Sequence, residues 1–287
     1  MLNKKNICRI TLLTNPDKCN LSCPLCFMRQ RGIPFGMGEM PLALALKSIT
    51  EYKETLKEVI PSTMGEPLLY SHFESLREFC FNQNIPLNLT TNGTFPNYLE
   101  FEKQKKLLQS CSDIKISLMG FSQEHFQNLM PGLTFENWKK NVSSYAQVRK
   151  ELISNGESTA TLSLQVTLNA LNVYSIQDIL EFASECQVSR IKWNLPVFLS
   201  LASDSYKARY AISPNLYSEL QEKIKTESER LSIQAKGSLF FEKKVSVDCP
   251  FAKEVWVYPD GTKSHCPNPE NRFGDSKQVS CKTCIMK

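Results

Sequence analysis

The sequence predicts an α/β fold, a parallel sheet with helices packed outside it. Three observations predict it. Short runs of strand-like apolar pattern and longer runs of helix-like pattern alternate six times along the chain. Turn residues mark the changeovers, as at Asn92-Gly93. The 287 residues, 41% of them hydrophobic, suit one barrel-sized domain or a domain plus an appendage.

Each element has its own signal. Residues 8–13 read as the first strand, and a cysteine-rich loop follows. A helix pattern resumes over 41–53, with proline suited to its first turn. Residues 57–62 read as a strand and 71–82 as a helix. The third strand, 87–90, ends in Asn92-Gly93, and a helix follows over about 98–109. Residues 113–118 form the fourth strand and 135–151 a helix. Residues 161–168 alternate strongly and form the fifth strand, 176–186 a helix and 190–195 the sixth strand. Residues 196–213 carry little pattern and read as a linker, followed by a helix over 214–231. Residues 254–258 and 262–265 flank Pro259-Asp260-Gly261 and read as a hairpin. Strand and helix alternation alone does not separate a barrel from a doubly wound sheet.

Charge and composition exclude several classes. The formal charge is +5, from 34 basic and 29 acidic residues, and the basic residues are dispersed. No basic stripe predicts nucleic acid. No apolar run has the length of a membrane span, and the first residues lack a signal-peptide core, so the expected compartment is the cytoplasm. Eleven cysteines in a reducing compartment point to metal or redox chemistry more than to disulfides. Cys8, Cys80, Cys111 and Cys186 are isolated among apolar residues and read as small core side chains.

The other seven cysteines fall in two groups. Cys19, Cys23 and Cys26 read CxxxCxxC. Three thiolates can hold three irons of a four-iron cluster and leave the fourth iron open to a ligand. A zinc knuckle would use the same residues. Cys249, Cys266, Cys281 and Cys284 read Cx11Gx4C followed by CxxC. Four thiolates fit a complete iron–sulfur site or a tetrahedral zinc.

The order of these motifs resembles the radical S-adenosylmethionine (SAM) superfamily. CxxxCxxC follows the first strand, and Met64-Gly65-Glu66-Pro67 follows the second, where the family carries Gly-Gly-Glu-Pro. Met64 in place of the first glycine is a departure, and so is Leu25 where the family is often aromatic. Thr91-Asn92-Gly93 is similar to the family's segment at the end of the third strand. The resemblance implies a partial (β/α)6 TIM-like barrel over residues 1–205. It implies that a linker helix and a short auxiliary domain of the Twitch type occupy residues 206–287. It implies two 4Fe–4S clusters, one on Cys19, Cys23 and Cys26 and one on the four later cysteines. SAM would meet the open iron, with Gly65, Glu66, Pro67, Asn92, Ser117, Gln165 and the Leu25 backbone around it. Thr167 and Asn169 share the strand register of Gln165. The alternative for these polar residues is ordinary outward-facing strand polarity.

The chemistry the resemblance implies is one-electron cleavage of SAM to a 5′-deoxyadenosyl radical, which takes a hydrogen atom from the substrate. An external one-electron reductant such as flavodoxin or ferredoxin would supply the electron. A fully ligated second cluster favours net oxidation of a small-molecule intermediate. A maturase of ribosomally made peptide or protein is the alternative, and a non-catalytic zinc protein is another. Arg29 and Arg31, within 27–38, read as anion contacts or as a solvated loop. No residue is singled out as the catalytic acid or base.

Overall fold

The computed structural model describes residues 7–62, 64–240 and 251–265. The six expected strands are present as β1 (Arg9–Leu12), β2 (Glu58–Pro61), β3 (Leu87–Thr91), β4 (Cys111–Leu118), β5 (Thr161–Thr167) and β6 (Arg190–Asn194). They pair in sequence order, each parallel to the next. Helices α1 (Phe27–Arg31), α2 (Leu42–Tyr52), α3 (Phe73–Asn82), α4 (Phe101–Ser110), α5 (Gln123–Leu129), α6 (Phe135–Ser154) and α7 (Ile176–Glu185) lie in the connections. α8 (Asp204–Tyr210) and α9 (Tyr217–Arg230) follow β6.

Three strands extend this sheet. β7 (Gln234–Lys236) pairs parallel to β6. β8 (Glu254–Val257) and β9 (Lys263–Ser264) form the expected antiparallel hairpin. The pairing of β8 was not expected: it lies parallel to β1, with Arg9 opposite Glu254 and Leu12 opposite Val257. β1 therefore runs between β2 and β8, inside the sheet. Short-range patterning carries no information about a partner so distant in sequence. The division expected at 205/206 runs through α8. Cys249, Cys266, Cys281 and Cys284 lie outside the described residues.

Alternation decides which side chains face each way. On β4, Ile114, Ile116 and Leu118 are fully buried against the helices, while Asp113, Lys115 and Ser117 face the concave side. A closed barrel fills that interior with branched apolar side chains. Here its N-terminal end holds a charged layer. Arg9 donates to Glu58 at 2.6 Å and lies 3.5 Å from Glu254, and Thr11 donates to Glu254 at 2.8 Å. Asn88 donates to Glu58 at 2.7 Å and accepts from Lys115. Arg190 pairs with Asp113, which also accepts from Ser163 at 2.7 Å. Burial pushes the Lys115 ammonium down to about 8.

This layer predicts a stability effect. Asp113→Ala removes the carboxylate from a guanidinium whose side chain is only 25% exposed. The loss should be about 2 kcal/mol, below the range for a fully buried pair because Arg190 reaches some water. The midpoint of urea unfolding measures it. Among the described residues no helix is long and apolar enough to cross a membrane.

Candidate active site

The C-terminal ends of the strands frame a cavity of about 580 Å³, within the size range of ligand sites. One wall is the cysteine loop after β1, with Cys23, Leu25, Cys26 and Phe27. Another is Gly65-Glu66 after β2. The polar floor comes from Thr90, Thr91 and Asn92 after β3, Ser117 on β4, Gln165 and Thr167 on β5 and Asn194 on β6. All three cysteines of the loop line a second depression of about 440 Å³, shared with Met64, Gly65 and Arg29.

Glycine at 65 has a steric cause. Its φ is +70°, and a Cβ there would stand 2.2 Å from the Asn15 carbonyl oxygen and 2.7 Å from that of Lys18. The loop after β2 thus presses directly on the backbone before Cys19. Asn15 donates to the Glu66 carbonyl at 2.7 Å, and the Glu66 N–H donates to the Lys18 carbonyl at 2.9 Å. Met64, the departure from the family pattern, is buried in an apolar group with Leu13, Leu199 and Trp256.

The Glu66 carboxylate is 1% exposed and accepts from the Thr91 hydroxyl (2.8 Å), the Asn92 N–H (2.8 Å) and the Leu68 N–H (3.3 Å). It therefore ties the loop after β2 to the end of β3. Burial raises its pKa to about 7 against these three hydrogen bonds. A raised carboxylate favours the protonated native state. Its contribution is full below the ordinary value of 4.5 and is lost as pH rises through about 7. The ligand-free chain should lose thermal stability between those values, and Glu66→Gln should flatten the loss. Thermal melts across that pH window test both.

The remaining expected residues divide. Ser117, Gln165 and Thr167 face the cavity, and with Thr90 their side chains have no hydrogen-bond partner among the described residues. The outward-facing alternative for these three is excluded. Asn92 borders the cavity, but its side chain is engaged: it donates to Asn20 at 2.9 Å and accepts from the Thr94 N–H at 2.9 Å. Pro67 is buried at the start of a 3-10 turn, away from the cavity wall. Asn169 is fully buried, donating to the Thr167 carbonyl at 3.0 Å, because the chain turns out of the sheet after β5. Arg29 donates to Ser22 at 2.6 Å, and Arg31 lies over the Phe35 ring at 5.3 Å. Residues 27–31 are helical, not a loop. Cys8 is partly exposed, while Cys80, Cys111 and Cys186 are buried as expected.

The three cysteines of the loop are free thiols, the donor type that iron–sulfur clusters take. Cys19 Sγ accepts from the Leu21 N–H at 3.5 Å and the Asn92 amide at 3.8 Å, the kind of outer support that ligating sulfurs receive. Burial, together with the neighbouring thiols Cys26 and Cys19, takes Cys23 up to about 12. A coordinating thiol loses its proton on binding a metal centre.

The sequence of residues 6–156 matches the model of the radical SAM superfamily. The chain belongs to the radical SAM superfamily. Its members are enzymes, and the family implies SAM and a 4Fe–4S cluster. Uncharacterized protein MJ0804 of Methanocaldococcus jannaschii is 31% identical over 123 residues, which are 42% of this radical SAM chain and 37% of that protein. Among solved structures, Streptococcus suis SuiB bound to the precursor peptide SuiA matches with a TM-score of 0.70 at 15% identity, over 96% of this chain and 62% of that one. Native anSMEcpe with bound AdoMet and Kp18Cys peptide matches with a TM-score of 0.63 at 17% identity, over 90% of this chain and 74% of that one. At these identities the two structures establish the fold, a partial TIM-like radical SAM barrel. The chain spans about a third of the curated relative and under two thirds of SuiB.

Residues that sequence reasoning missed also build this site. Asn15 holds the two loops together, Asn194 and Phe251 line the cavity, and Gln30 and Tyr206 bond to the cysteine loop. An asparagine just past a strand end is a usable turn signal for Asn15. The others depend on contacts across the fold.

Proposed function

We propose that this radical SAM enzyme removes a hydrogen atom from its substrate and oxidises it overall, with a small-molecule intermediate as the substrate. Cys19, Cys23 and Cys26 would hold the cluster. Gly65, Glu66 and the Leu25 backbone would bound the SAM site, with Asn92 and Pro67 fixing its walls. When bound, the cluster and SAM supply the one-electron cleavage that generates the 5′-deoxyadenosyl radical. The observation that carries the reading is one cavity bordered both by the cysteine loop and by the unpartnered side chains of Thr90, Ser117, Gln165 and Thr167. These four side chains are partly exposed to the cavity, where a ligand can hydrogen-bond them. Glu66 sets the charge: an ammonium beside it favours the ionised carboxylate, so SAM should bind more tightly as pH rises through about 7.

A second, auxiliary cluster on Cys249, Cys266, Cys281 and Cys284 would receive the substrate electron, which is the basis for net oxidation. The hairpin supports this reading, since the His265 ring lies 2.9 Å from the Glu254 carbonyl and the chain enters β8 and leaves β9 at one end. A peptide substrate is the second reading. The peptide-bound forms of SuiB and anSMEcpe favour it. The expected partner is a flavodoxin- or ferredoxin-type reductant, and the free cysteines fit a reducing cytoplasm.

Purification without oxygen, reconstitution and measurement of iron and sulfide per chain test this. About eight irons, with 5′-deoxyadenosine formed from SAM and dithionite, support two clusters. About four leave the later cysteines as a zinc or structural site. No iron, with bound zinc, excludes the radical chemistry.

A further inference from the structure

The cysteine loop is held from the side opposite Gly65. Tyr206, in α8, donates its hydroxyl to the Pro24 carbonyl at 2.7 Å. Gln30, in α1, donates to the Leu25 carbonyl at 3.3 Å and to the Val197 carbonyl at 3.0 Å, and accepts the Leu199 N–H at 2.9 Å. Pro24 and Leu25 are the two residues between the second and third cysteines. Leu195, Pro196 and Val197 wall the cavity on the side facing β6. Phe198 packs with Tyr206 beside Leu25, and Leu199 packs with Met64. The segment 195–199 therefore touches the cavity, the cysteine loop and the loop after β2 at once.

We infer that Gln30 and Tyr206 are positioning residues that fix the Pro24-Leu25 backbone against segment 195–199, so that one segment sets both the SAM side and the substrate side of the cavity. This rests on the reading that SAM occupies that cavity. The Leu25 carbonyl has a second lone pair free for a ligand donor, and its direction depends on the Gln30 bond. Neither residue hydrogen-bonds a cysteine sulfur, so cluster assembly should not depend on them. SAM placement does.

Tyr206→Phe removes only the hydroxyl and keeps the ring packing. Gln30→Met keeps the length of the side chain and removes its three hydrogen bonds. Reconstituted holoenzyme carrying either change should keep wild-type iron content and a cooperative melting transition, with some loss of melting temperature in Gln30→Met, and bind SAM about fivefold more weakly, the effect of a typical hydrogen bond. Binding is read from the change that SAM causes in the electron paramagnetic resonance spectrum of the reduced cluster. The double variant should weaken SAM by less than the product of the two single effects, because both act on one dipeptide. Unchanged SAM affinity in the double variant overturns the inference. So does parallel loss of iron, which would make these residues part of cluster retention. If the wild-type chain, loaded with its cluster, fails to bind SAM, the underlying reading falls together with the inference.

Discussion

Cys23→Ala is expected to leave a folded chain that assembles no N-terminal cluster and forms no 5′-deoxyadenosine above the reagent background. On the proposed ligand set of three thiolates, the two that remain cannot retain the cluster. The loop itself does not need the metal. Its backbone is held by Asn15 and the Gly65 contact on one side and by Tyr206 and Gln30 on the other. The same loss is expected for Cys19→Ala and Cys26→Ala. Cys80→Ala, in the core on α3, is the control and should keep its iron. Iron and sulfide analysis should show about four fewer irons per chain in the loop variants only. Full iron in Cys23→Ala would refute the ligand assignment.

Gly65→Ala should be nearly as damaging for a different reason. The new methyl would meet two carbonyl oxygens at 2.2 and 2.7 Å, and both belong to backbone that cannot swing aside. The positive φ alone costs about 1–2 kcal/mol for alanine. Relief requires moving Asn15 and Lys18 away, and Cys19 moves with them. The expected result is a fall of about 3 kcal/mol in unfolding free energy, from strain and displaced contacts together, with poor cluster incorporation. Chemical unfolding of the ligand-free chain and iron analysis after reconstitution measure the two effects separately. A variant with wild-type stability would show that the two loops do not press together as described.

Most strands of the core were legible because they alternate in residue type, as β4 and β5 do, while β2 is a short apolar run after Glu58. The helices that escaped notice are short and polar. α8 opens on Ser203, which accepts from the Tyr206 N–H at 3.2 Å, and its Tyr206 and Tyr210 stand one turn apart. That cap-and-spacing signal was present but too brief to stand out in a seven-residue helix. α1 is five residues of mixed polarity directly after Cys26, and it reads as loop. The cysteines, Gly65 and Glu66 were legible because their chemistry or conformation restricts the residue type. Gln30 and Tyr206 were not, since nothing local separates a glutamine that bridges two distant segments from one facing water. Asn92 lines the cavity where the motif marks it, and its amide also bonds to Asn20 of the cysteine loop and to Thr94.

The place of β1 between β2 and β8 bears on how the molecule is made. Thr11 and Glu254 stand 243 positions apart and bond side chain to side chain. During synthesis β1 and β2 leave the ribosome early, but one edge of β1 stays unpaired until the hairpin follows. The loop that holds the cysteines begins at that edge. A stalled or truncated chain would expose a sheet edge carrying Ile10 and Leu12, a ready template for aggregation, beside the cysteine loop. If the cluster forms on this loop, iron supplied to nascent chains should be retained poorly until β8 covers that edge.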